Sequence, residues 1–68
     1  MRVNKNKLML AMARQCMTTA DVIEKAEMPK STFIKVLSGK DVFPATAGKV
    51  ARALGVDVTE IIELEDFQ

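Results

Sequence analysis

The sequence predicts an all-α fold, a bundle of five short helices forming one domain over residues 1–68. Three observations predict it. Apolar residues recur at the i, i+3, i+4 spacing of a helix face, and no run alternates with the period of a strand. Glycines and prolines act as punctuation between the periodic stretches. The chain, 68 residues with 49% hydrophobic and 28% charged side chains, has the balance of a folded domain and room for one small core.

The first helix, about residues 5 to 15, carries Leu8, Ala11 and Met12 on one face, and Met9 and Leu10 widen it, so it is expected to be buried on more than one side. Arg2, Lys5 and Lys7 before this apolar run resemble the start of a signal peptide. Arg14 and Gln15 cut the run short, however, and no stretch approaches the ~20 residues that span a bilayer.

Thr18 with Asp21 three residues on forms a capping-box pattern opening a second helix that buries Val22, Ile23 and Ala26. Glu27-Met28-Pro29 interrupts it, because proline cannot continue a helix but suits its first turn. A third helix then buries Phe33, Val36 and Leu37, ending at Leu37 or Ser38 before Gly39. After the irregular Asp41-Val42-Phe43-Pro44, Ala47, Val50, Ala51 and Leu54 mark a fourth helix closed by Gly55. Asp57 and Glu60 then cap a fifth that buries Val58, Ile61 and Ile62.

Composition excludes much chemistry. With no His, Trp or Tyr and a single Cys, the chain lacks the groups that zinc sites and nucleophilic triads require. No catalytic residue, metal ligand or cofactor is expected, and no small-molecule substrate is evident. Cys16 has no intrachain partner, so stability must come from helix packing or association, and the cytoplasm is the expected compartment.

The net charge of +1 conceals an asymmetry. Residues 1–40 hold eight bases (Arg2, Lys5, Lys7, Arg14, Lys25, Lys30, Lys35, Lys40) against three acids, Asp21, Glu24 and Glu27. Residues 41–68 hold two bases, Lys49 and Arg52, against six acids. Such a division fits a protein that turns its basic half toward a polyanion and its acidic half away.

Helices two and three, joined by only about three residues, have the arrangement of a helix-turn-helix over about residues 18–38. At this point the chain resembles a known family. The run Met17-Thr18-Thr19, Val22-Ile23-Glu24-Lys25-Ala26, Met28-Pro29-Lys30-Ser31-Thr32-Phe33, Val36, Ser38-Gly39-Lys40, Pro44, Val50-Ala51-Arg52-Ala53-Leu54-Gly55-Val56 and Ile61-Ile62 is similar to the phage-repressor and Cro type of bacterial transcription regulator, the xenobiotic-response-element family. The resemblance covers about residues 5 to 64. Its most specific parts are the Gly39-Lys40 end of helix three and the Ala53-Leu54-Gly55-Val56 joint. The family places a glycine in many members where this chain has Glu27, so Glu27 either takes a left-handed conformation or the turn is built differently. Cys16 also stands where glycine is frequent, and is read as a small buried filler.

The resemblance implies a lambda-repressor-like domain whose third helix enters the major groove of double-stranded DNA. The residues suggest the same division independently. With Phe33, Val36 and Leu37 inward, Lys30, Ser31, Ile34, Lys35 and Ser38 share the outward face. Lys30, Ser31, Ile34 and Lys35 are the candidate base-reading residues, with lysine donating to guanine and Ile34 meeting a thymine methyl. Thr18 and Thr19 at the start of helix two, with Lys40 past helix three, are the candidate phosphate contacts. Phe43, Leu64 and Phe67 have no place in the core and are assigned to a homodimer contact, with residues 65–68 a tail. The expected function is a transcriptional regulator, a repressor binding an inverted repeat as a homodimer. The alternative is a protein-interaction module of the same fold, an antitoxin or adaptor.

Overall fold

The structure, a computed structural model described for residues 1–63, is helical and contains no β-strand among those residues. Four α-helices follow in order: α1 (Lys5–Arg14), α2 (Thr19–Ala26), α3 (Lys30–Leu37) and α4 (Pro44–Leu54). The radius of gyration is 10.5 Å, against roughly 11 Å for a folded chain of this length.

Side chains cap the starts of α1 and α2, and prolines mark those of α3 and α4. Asn4 caps α1, its side-chain oxygen accepting the Lys7 amide at 2.9 Å. Thr18 caps α2 through the full capping box with Asp21. Pro29 precedes α3, and Pro44 occupies the first turn of α4, where a missing N–H costs nothing.

All four helices end in the same closure. One residue turns left-handed, its amide bonds a carbonyl three residues back, and the next amide reaches five residues back. The left-handed residues are Cys16 (φ 54°), Glu27 (φ 55°), Gly39 (φ 74°) and Gly55 (φ 69°). The five-back bonds are Met17 to Met12, Met28 to Ile23, Lys40 to Lys35 and Val56 to Ala51, at 3.0–3.3 Å. Glycine makes two of these turns without steric penalty, and Cys16 and Glu27 make the other two against it. Glu27 therefore takes the left-handed alternative, and the three-residue link from α2 to α3 has ordinary helix-ending geometry. Gly48, in contrast, is no punctuation: it lies inside α4.

The core joins Leu8, Val22, Phe33, Val36, Val50, Leu54, Ile61 and Ile62, all at most 1% exposed. α2 and α4 pack extensively on each other. No buried polar or charged residue occurs among the described residues, so the core is held by apolar burial.

Several expectations are corrected. The fifth helix is a single 3-10 turn, Val58–Glu60, with Asp57 accepting the Thr59 amide at 3.0 Å. Its continuation is replaced by pairing with the N-terminal segment. Val3 bridges Ile62 and Arg2 bridges Asp41, while the Asn4 amide donates to the Ile61 carbonyl at 2.7 Å and the Glu63 amide to the Arg2 carbonyl at 2.8 Å. Leaving the helix lets the adjacent β-branched Ile61 and Ile62 both become fully buried. Val58 is only half-buried, as is Leu37. α1 is buried on one side alone: Met9 and Leu10 are 53% and 54% exposed, because Leu8 and Ala11 already fill its inner face. Cys16 is exposed, its role being the left-handed turn rather than core filling.

Candidate nucleic-acid interface

α3 divides cleanly. Phe33 and Val36 are completely buried, and Lys30, Ser31, Ile34, Lys35 and Ser38 are all exposed. At helical spacing these five share one face. Ile34 is 51% exposed among lysines and serines, an apolar side chain left to solvent beside hydrogen-bonding groups. The Ser38 hydroxyl is spent locally, donating to the Ile34 carbonyl at 2.7 Å. Pro29 supplies no side-chain cap, so the first turn of α3, with Lys30 and Ser31, keeps outward-facing amides.

Lys40 is positioned by the closure at Gly39: its amide bonds the Lys35 carbonyl at 3.3 Å, tying it to the C-terminal turn of α3. Its surroundings add a residue that sequence reasoning did not assign, since Lys40 and Arg2 line the same depression with Met1 and Asp41. Only the N-terminal segment's docking shows this, and that docking has no periodic signature. The Met1 ammonium pairs with Asp41, and the Met1 carbonyl accepts the Val42 amide at 2.7 Å.

Thr18 and Thr19 stand at the end of α2 away from the linker to α3, both exposed. The Thr18 amide donates to Asp21 Oδ2 at 2.9 Å, and its hydroxyl oxygen accepts the Asp21 amide at 3.1 Å. Thr18 is thus engaged in its own helix, and Thr19 retains the less committed groups. The Thr18 amide and then its hydroxyl hold the Asp21 carboxyl below the usual carboxylate range, keeping a negative charge at this end. Asp57 is lowered likewise, by the Thr59 hydroxyl and then its amide.

Phe43 is 81% exposed. Its carbonyl accepts the Thr46 and Ala47 amides at 2.9 and 3.2 Å, so the backbone is anchored while the ring projects. It lines a depression of about 420 Å³ together with Thr32, Lys35, Asp41, Val42 and Thr46, which brings it beside the outward face of α3. Leu64 and Phe67, assigned with it to a dimer contact, lie outside the described residues, as does the tail 65–68.

Among the described residues no group of three or more Cys, Asp or Glu side chains is placed to hold a metal ion, and no helix is long and apolar enough to cross a membrane. Compared with protein-family models, with curated proteins and with solved structures, the chain matches none.

Proposed function

We propose that this protein is a sequence-specific double-stranded DNA-binding regulator, a repressor of the phage-repressor and Cro type acting in the cytoplasm as a homodimer on an inverted repeat. It is no enzyme in this reading. α2 and α3 form the helix-turn-helix, α3 lies in the major groove, and Lys30, Ser31, Ile34 and Lys35 read base edges. Thr19, Lys40 and the hydroxyl hydrogen of Thr18 hold phosphates, and Phe43 contributes to the protomer contact.

One observation carries the reading: α3 buries Phe33 and Val36 completely while exposing Lys30, Ser31, Ile34 and Lys35 together on the opposite side. Such a face offers donors, acceptors and one apolar contact, the set a major groove presents in complement. The salt dependence of binding to a 20 to 30 base-pair duplex tests it. Phosphate contacts through several cations require the logarithm of affinity to fall steeply and linearly with the logarithm of salt.

A second reading, a protein-interaction module, is favoured by the exposure of Met9, Leu10 and Phe43. A mainly apolar contact would be nearly insensitive to salt, so the same titration separates the two.

A further inference from the structure

We propose that the depression between α2 and α4 is a binding site for a small oxyanion, a phosphoryl compound or a di- or tricarboxylate, sharing no lining residue with the proposed DNA contacts. Lys25, Lys49 and Arg52 line it, with Ala26 and Ala53 between them and Glu27 as its one acid. Lys25 comes from the last turn of α2. Lys49 and Arg52 are three apart on α4, the helix against which α2 packs, so two elements converge their cations on one concavity.

None of the three cations has an ion pair among the described residues, a condition shared with Lys5, Lys7, Lys30, Lys35 and Lys40, so two other features distinguish this cluster from a merely solvated face. Dipole complementarity accounts for Lys25 and Arg52, each in a last helical turn, but not for Lys49 one turn earlier. Ala26 and Ala53 are both buried and short, which leaves the space between the cations open. The volume, about 270 Å³, falls just below the range of about 300 to 1,000 Å³ usual for drug-sized ligands. A small, highly charged ligand suits it better than an aromatic cofactor. Its lining includes none of the residues proposed to contact DNA, so it can be tested independently of α3.

The test is a ¹H–¹⁵N NMR titration of the full chain with inorganic phosphate and, separately, with citrate, at ionic strength held constant with sodium chloride. Saturable shifts confined to the amides of residues 25–27 and 49–53 are expected. Saturation by phosphate assigns a phosphoryl ligand, and saturation by citrate a carboxylate one. The double variant Lys49→Gln with Arg52→Gln should weaken binding about tenfold or more, the scale of a lost charge-assisted hydrogen bond. Glu27→Gln should strengthen it. Lys5→Gln with Lys7→Gln removes the same total charge on α1 and should change nothing. Non-saturating shifts spread over all the lysines, or equal weakening in both double variants, would overturn the proposal.

Discussion

Thr18 and Asp21 close the first turn of α2 on each other, amide to carboxylate at 2.9 Å and amide to hydroxyl at 3.1 Å. The pair stabilises the helix start and also places a carboxylate where the proposed interface meets phosphate. Its two roles oppose each other, and both respond to the same substitution.

Asp21→Asn should lower stability at neutral pH and strengthen DNA binding by removing a repelled charge. The sign with pH follows from the lowered carboxyl. A group that ionises more easily when folded stabilises the fold fully above the ordinary carboxylate range, and that contribution disappears as pH falls through the folded value. The gap between the urea midpoints of wild type and Asp21→Asn should therefore stay constant from pH 7 down to about pH 4 and close below it. A gap independent of pH would show that the ionised carboxylate is not what caps α2.

The two non-glycine closures make a second prediction. Glu27 holds φ 55° at the link between α2 and α3, so Glu27→Gly should raise stability by up to about 1 kcal/mol, the relief of left-handed strain less the added entropy of an unfolded glycine. Gly55→Ala should cost about 1 to 2 kcal/mol through backbone conformation alone, since a Cβ there meets nothing closer than Gln15 Nε2 at 4.0 Å. Denaturant unfolding of both variants checks the pair, and equal effects of the same sign would contradict it.

Much of this architecture was legible in the sequence because it is local. Thr18-x-x-Asp21, Pro44 and the glycines at 39 and 55 act within one turn, and the α3 face follows from spacing around Phe33 and Val36. The failures were non-local. Val3, in a segment with no helical period, is 2% exposed because it pairs with Ile62, about sixty residues away in sequence. The same pairing ended the expected fifth helix after one 3-10 turn. Met9 and Leu10 misled because apolar character alone does not say which of two faces meets the core. The candidate site was legible as a face of α3, whereas the neighbourhoods Lys40 with Arg2 and Lys35 with Phe43 depend on how loops dock.

Lys35 and Lys40 should differ in kind. Lys35→Ala should cost about 1 to 3 kcal/mol on the preferred operator and relax the choice of base at one position. Lys40→Ala should weaken every sequence about equally and reduce the salt slope by about one. Fluorescence anisotropy on an operator and its single-base variants measures both, and identical profiles would remove the distinction between reading and clamping.

Phe43→Ala should leave stability within about 0.5 kcal/mol, as for other exposed positions. It should reduce cooperative binding to a full inverted repeat while leaving affinity for an isolated half-site unchanged. Weakening on the half-site would instead make Phe43 a DNA contact, in keeping with the depression it shares with Lys35.

Selection of binding sites from random duplex DNA, run in parallel with wild type and with the Ile34→Ala, Lys35→Ala double variant, tests the central claim most directly. The account predicts that wild type enriches an inverted repeat with half-sites about 10 base pairs apart and that the double variant enriches a degenerate form of it. No enrichment by wild type, or the same consensus from both proteins, would contradict the assignment of α3 as the helix that reads DNA.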